Sequence, residues 1–476
     1  MTNSVKEKSP HLTLNHLFRW NFGGSLYMSI LQLISIVLLG QFLSYKELGI
    51  YTIFQIIFRL ALALFEPGMF VSIIQKPGFT FKIVRKEQFI QWMLVILGLI
   101  LIALFFIWES NYLMMNPIIV LNSLLLFIII GGFSYYASIL SHYLKQKQVS
   151  ISQMAGASCE FIFIVSTIWY FSPLIVFSIG LLIRFSVYYF VCYLYYKQLG
   201  IEENDRISEQ EHIRYSAYQV LNQGISFVQG NFDTVLVGSL FGLLLLGPYN
   251  FASEISYLLF SKINPIFNRA ILPLLSKHQQ DNETRQLIIT ESLLSHALIC
   301  ISIYILLYAH IEPIIAFAFK DPEAKILLFA KYILIMAIIR SVNNIIFNQL
   351  LALGESKNLF KWNIVVLIIN YLFIGIIFIT KTDILTFLLI NIFVSLSVLI
   401  YTIFKLLKYC DNRKSFFDIL IRYILYLLVC VALIFLLSRL HLSLIPSLFC
   451  SVSLLFLVSL LFYKTKVLDL LKLRIM

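Results

Sequence analysis

Val37 to Tyr51 read V-L-L-G-Q-F-L-S-Y-K-E-L-G-I-Y, and Val235 to Tyr249 read V-L-V-G-S-L-F-G-L-L-L-L-G-P-Y, a second copy of the same stretch. Val37, Leu38, Gly40, Leu48, Gly49 and Tyr51 recur as Val235, Leu236, Gly238, Leu246, Gly247 and Tyr249. The same offset carries Pro67 onto Pro265 and Ile73 onto Ile271, so the match continues through the following apolar segment without an insertion. The chain is internally duplicated. In a very hydrophobic chain, duplication points to a secondary transporter, whose two similar halves rock against each other around a central site.

Composition sets the solvent. The 476 residues are 60% hydrophobic and only 13% charged, with a mean hydropathy of +0.89. Such a chain belongs in lipid, where each crossing takes about 20 apolar residues. The apolar runs predict an all-α polytopic membrane protein of about 14 transmembrane helices, the first near 21–43 and the last near 442–462. The polar start, Met1 to Arg19, leads into a span of full membrane length, so an uncleaved first helix is expected rather than a removed signal peptide.

Charge gives the orientation. The net charge of +12 comes from basic residues scattered over short loops, with no aromatic-interleaved basic domain, so no nucleic-acid partner is expected. With the N-terminus inside, only Lys46, Lys320, Lys325, Lys381 and Arg439 fall in outer loops. Arg59, Arg184, Lys262, Arg269, Lys331, Arg340 and Arg422 fall within spans, and the rest of the 36 Lys and Arg collect in cytoplasmic segments. The inside-to-outside ratio is near five to one, and a single missed span would invert every later loop. Both termini are expected in the cytoplasm.

The longest polar interruption separates the two copies. It suggests an N-terminal six-helix lobe (1–196), a cytoplasmic linker (197–214), a C-terminal six-helix lobe (215–408) and a peripheral helix pair with a cytoplasmic tail (409–476). An even number of crossings between the copies makes the repeat parallel, its axis along the membrane normal. The six cysteines sit in or beside apolar runs with no C-x-x-C spacing, so neither a zinc site nor a disulfide framework is indicated.

At this point the residues resemble a family. The first copy with its continuation, G-G-S-L-Y…E-L-G-I-Y…E-P-G-M-F-V-S-I-I-Q-K (Gly23 to Lys76), is similar to bacterial polysaccharide transporters. So is the second, N-F-D-T-V-L-V-G…L-G-P-Y-N-F-A…K-I-N-P-I-F-N-R-A-I-L-P-L-L-S-K (Asn231 to Lys277). These are the O-antigen and colanic-acid type Wzx flippases of the multidrug, oligosaccharidyl-lipid and polysaccharide exporter superfamily. The resemblance covers both repeat cores, roughly a quarter of the chain. It implies two MATE-like six-helix lobes forming a V-shaped cavity. Through it an undecaprenyl-diphosphate-linked oligosaccharide passes from the cytoplasmic to the outer leaflet of the bacterial inner membrane. Where the family carries Asp in a D-x-G-L-like turn, this chain has Glu66-Pro67-Gly68. A polysaccharide polymerase and assembly proteins are the partners implied.

The charges inside spans point to the same substrate. A Lys or Arg at bilayer depth costs at least ~2.5 kcal/mol on insertion scales, so one that is kept should face water or a partner. A diphosphate carries at least two negative charges, and a guanidinium fork meets two phosphate oxygens at once while staying charged. Arg59, Arg184, Lys262, Arg269 and Arg340 are therefore the candidate substrate-binding residues. Each has a plainer reading as a structural ion pair or as a side chain reaching the headgroups. Arg59, for example, stands two turns before Glu66. Lys262 and Arg269, seven apart, share nearly one helix face.

Acids in spans bind H⁺ or Na⁺ at membrane depth, and Glu66, Glu160, Asp233 and Glu254 are the candidates for ion coupling. Asp233 stands where the first copy has Ser35. Tyr27, Tyr51, Tyr135, Tyr136, Tyr249 and Tyr257 would suit stacking on sugars, with helix packing the stronger expectation.

Two other classes stay open. A MATE-like exporter of small organic cations or drugs would favour acids over arginines in its cavity. A membrane enzyme polymerising lipid-linked sugars would carry a large outer loop, whereas the longest here runs only from His310 to Lys325. No nucleophile–base pair, metal-ligand cluster or nucleotide-binding glycine loop is visible, so catalysis, cofactor and metal are not expected.

Overall fold

The computed structural model describes residues 10–65, 81–108, 117–143, 145–198, 209–319, 323–355 and 383–410, most of 358–369 and scattered positions at 372, 421–432 and 450–458. Every regular element among them is helical, as lipid demands of a chain that must satisfy its own backbone hydrogen bonds. In chain order these are α1 (Pro10–Phe42), α2 (Tyr45–Leu64), α3 (Phe81–Trp108), α4 (Pro117–Ser141), α5 (Gln146–Thr167) and α6 (Pro173–Lys197). Then come α7 (Glu209–Phe241), α8 (Leu243–Lys277), α9 (Asn282–Ala309), the short α10 (Ile311–Ala318), α11 (Ala324–Ala352) and α12 (Ile384–Leu406). Eight helices among the described residues are long and apolar enough to cross a membrane. The protein is a multi-pass membrane protein.

The quoted repeat builds the same turn twice, by different means. In the first copy, α1 gives way to α2 at Ser44, whose hydroxyl accepts from the Glu47 backbone N–H while the Glu47 carboxylate accepts from the Ser44 N–H, closing a capping box. In the second copy the matching residue is Gly242, and it joins α7 to α8 at φ 79°, a left-handed conformation open to glycine. One copy satisfies the helix start with a side chain; the other supplies backbone freedom.

The chain divides into two compact units, Met1–Gly247 and Pro248–Met476. Within the first, two repeat-related glycines bring helices together. A Cβ on Gly49 would lie 2.3 Å from the Leu243 carbonyl oxygen, and one on Gly247 would lie 2.3 Å from that of Tyr45. Tyr45 and Leu243 are themselves matching positions of the repeat, so the contact is reciprocal. A stripe of small residues is how membrane helices let backbones touch.

The first unit also packs α5 against α6 over a close approach, a Cβ on Gly156 meeting the Arg184 carbonyl oxygen at 2.4 Å. Its aromatic interior includes Tyr51 beside Phe177, Phe58 beside Phe185 and Phe65 edge-on to Phe127. The second unit has a core of Ile271, Leu275, Ile289, Ile345, Leu350 and Leu406, drawn from α8, α9, α11 and α12. A separate cluster seats Tyr426, Cys430, Leu455 and Val458 against Ala297, Ile301 and Ile305 of α9. Alpha 9 widens into a π turn over Ala297–Ile301. The outward faces are apolar, as on α3, where Ile96, Leu97, Ile100, Leu101 and Leu104 are all exposed. In water such a face would be a liability; against acyl chains it is the surface a crossing helix needs.

Candidate functional site

In the first unit two predicted site residues meet. Glu160 projects from the middle of α5, where Gly156 and Gly180 let α5 and α6 approach. Arg184, on α6, donates through Nη1 to Glu160 Oε2 at 3.3 Å, with side chains 31% and 12% exposed respectively. Its guanidinium also lies 5.7 Å from the centre of the Phe185 ring. A predicted substrate cation and a predicted coupling acid are therefore partners of each other.

Arg59 stands half-buried on α2, its Nη1 3.5 Å from the Asn231 Oδ1 of α7, and takes part in further interactions. Tyr51, two turns earlier on α2, sets its ring beside Phe177 of α6. Asp233, two residues beyond Asn231, is half-buried and engaged. Tyr27 of α1 makes a 2.7 Å hydrogen bond to Ser158 of α5.

In the second unit Arg340 is half-buried on α11. Its Nε lies 3.4 Å from Ser395 Oγ of α12, and its guanidinium lies 5.6 Å from the centre of the Tyr257 ring of α8. A cation held over an aromatic face keeps its charge while part of its desolvation cost is offset. Glu254 and Lys262, also on α8, are half-buried and engaged in interactions. Arg269 lies on α8, its side chain outside what is described. Glu66 and Arg422 lie outside the described residues. The stacking candidates serve packing: Tyr249 meets Phe329 and Phe387, and Tyr136 meets Tyr193 and Tyr196.

Sequence reasoning missed a run of amides. Asn264 and Asn268 on α8 hydrogen-bond across to Asn344 on α11, and Ser341 of α11 joins Asn264 to the buried His296 of α9. The signal was present as Asn264/Asn268 and Asn344/Asn348, each pair one helical turn apart. Neutral amides carry no charge to announce them in an apolar run. Among the described residues no three His, Cys, Asp or Glu side chains are grouped to hold a metal ion.

Comparison with known proteins gives a family and a fold. Residues 38–322, more than half of the chain, match the model of a polysaccharide biosynthesis protein family. The chain belongs to this family. Among its relatives, the amylovoran biosynthesis protein AmsL of Erwinia amylovora is 28% identical over 42% of this chain and 54% of its own length. The lipopolysaccharide biosynthesis protein WzxC of Escherichia coli is 22% identical over 73% of this chain and 71% of its own. The chain thus spans about half the length of the first and over two thirds of the second.

Among solved structures, the lipid II flippase MurJ in an inward closed conformation superposes with a TM-score of 0.68 at 17% identity, covering 94% of this chain and 99% of that one. An inward-facing multidrug resistance MATE transporter superposes with a TM-score of 0.55 at 12% identity, covering 82% of this chain and 94% of that one. At those identities the likeness is one of fold. The chain is thus a polysaccharide biosynthesis family member with a fold like that of the MurJ and MATE structures.

Proposed function

We propose that this protein turns a prenyl-diphosphate-linked oligosaccharide, undecaprenyl being the carrier the family resemblance implies, from the cytoplasmic to the outer leaflet of a bacterial inner membrane. The observation that carries this reading is the set of half-buried cations on membrane helices in both units: Arg59 and Arg184 in the first, Lys262 and Arg340 in the second. Each is costly in lipid, and a diphosphate headgroup is a ligand that calls for such charges. Arg269 joins them on the strength of its place on α8. The reading keeps two lobes, 1–196 and 215–408, joined by 197–214 and followed by a helix pair, with about 14 crossings, alternating access and both termini in the cytoplasm.

Coupling to H⁺ or Na⁺ belongs to the same proposal, with Glu66, Glu160, Asp233 and Glu254 as its carboxylates. Glu160 has the best-defined chemistry. An anionic headgroup that draws Arg184 away leaves a carboxylate in an apolar surround, which then takes up a cation or a proton.

The test is made in cells lacking the native protein. Arg59→Ala and Arg340→Ala should insert at wild-type levels, lose surface polysaccharide and accumulate the lipid-linked repeat unit in the cytoplasmic leaflet. Full surface polysaccharide in both variants would end this reading.

A further inference from the structure

Between α8 and α11 runs a row of carboxamides that a cationic headgroup site does not use. It has two layers. In the inner one Asn264 and Ser341 are almost fully buried, at 2% and 1% exposed. Ser341 Oγ donates to Asn264 Oδ1 at 2.9 Å and meets His296 Nε2 at 3.0 Å, so this layer ties α8, α9 and α11 together. Such interhelical hydrogen bonds are ordinary membrane glue.

The outer layer is different. Asn268, Asn344 and Asn348 are only half-buried, and their hydrogen bonding is uneven. Asn344 Oδ1 meets three amide donors, from Asn268 at 2.8 Å, Asn264 at 3.4 Å and Asn348 at 3.5 Å. A carbonyl oxygen has two lone pairs. Asn268 Oδ1, by contrast, is buried with no hydrogen-bond partner among the described residues. Asn264 and Asn348 donate more closely to the backbone carbonyls of Ser341 at 3.2 Å and Asn344 at 2.8 Å, so the unmet atom is the acceptor of Asn268, and a hydroxyl can donate to it while accepting from a neighbouring amide.

Position along α11 says which hydroxyls. Arg340, Asn344 and Asn348 follow at successive turns, so the two amides stand about 6 and about 12 Å beyond the cation along the axis. The order is cation, amide, amide. A glycan joined through a diphosphate presents the same order: an anion, then the hydroxyl-bearing rings.

We propose that Asn268, Asn344 and Asn348 form a hydroxyl-reading track for the first sugars of the lipid-linked glycan, starting where Arg340 holds the phosphate; this rests on the flippase reading of Arg340. The track gives the second unit the selectivity for sugar that cations alone cannot supply. A site whose polar groups are left unpaired by the wrong ligand discriminates far better than an apolar one.

The experiment measures affinity of purified full-length protein in detergent for two lipids: a long-chain prenyl diphosphate without sugar, and the lipid-linked repeat unit extracted from the producing strain. Wild type should bind the sugar-bearing lipid more tightly. An Asn344→Ala/Asn348→Ala double variant should lose about tenfold for that lipid, and its affinity for the sugar-free lipid should not change. Should the double variant not fold, Asn348→Ala alone, whose amide among the described residues bonds to Asn344 of its own helix, must show the same split. Equal loss for both lipids, or no loss for either, would overturn the track while leaving the flippase standing. Wild-type protein that binds neither lipid would sink the flippase reading and the track with it.

Discussion

Arg184 and Glu160 show what a single side chain can and cannot reveal. Each was legible as a charge out of place in an apolar run. Their pairing was not, because they stand 24 positions apart across a helix turnaround and only the packing of α5 on α6 sets them face to face. The pair predicts an asymmetric mutant series. Arg184→Ala leaves a carboxylate that is 12% exposed without its counter-ion, which should destabilise the protein by about 3 kcal/mol, the low end for a broken buried pair because the guanidinium is partly exposed. Arg184→Ala combined with Glu160→Gln should recover most of that loss. Thermal melting in detergent measures both, and a double variant no more stable than the single would show that the two side chains do not compensate each other. The amide track was hidden for another reason: Asn in an apolar helix reads as helix glue until its partners are counted.

At the scale of the element, the glycines of the repeat carry the sharpest structural expectation. Gly49 and Gly247 each approach a backbone carbonyl to 2.3 Å of where a Cβ would stand, and backbone cannot swing aside as a side chain can. Gly49→Ala and Gly247→Ala should therefore each cost about 1–3 kcal/mol through overpacking. The two losses should be similar and less than additive, since both relieve the same crossing. Additive losses would mean that the two approaches are independent.

Helix ends give a pH prediction. Glu355, just past α11, accepts from Asn358 and from Tyr409 Oη, and these bonds hold its carboxyl below the usual value of 4.5. A depressed carboxyl adds stability that is fully present above its unfolded pKa and is lost as pH falls through the folded one. The melting difference between wild type and Glu355→Gln should therefore be constant from neutral pH to about pH 5 and shrink below it. A difference that grows on acidification would contradict the assignment. The helices themselves were largely readable: the runs at 173–194 and 326–352 became Pro173–Lys197 and Ala324–Ala352. Helix ends were less so, because polar first turns such as Asn282–Gln286 before the run at 287–309 are set by caps, here Asp281 on Thr284, that hydropathy does not register.

For the whole molecule, hydropathy was enough to indicate a multi-pass membrane protein, since it is a property of the entire chain. Which cations face substrate was beyond reach, because a periodic pattern that is apolar all round does not mark an inner face. Orientation is open to direct test. The basic bias of alternate loops predicts that a fluorescent reporter fused after Met476 folds in the cytoplasm and that a cysteine placed at Lys381 reacts with an impermeant reagent from outside. The opposite pattern would invert the topology.

Beneath all of this lies the proposal that guanidiniums on membrane helices hold a diphosphate. The most direct measurement is translocation of the extracted lipid-linked repeat unit in vesicles reconstituted with purified protein, wild type against Arg59→Ala/Arg340→Ala. Rapid transfer by wild type and a loss of a hundredfold or more in the variant, about 2.7 kcal/mol at 1.36 kcal/mol per factor of ten, is the result expected. Equal transfer rates in the two preparations would contradict the account.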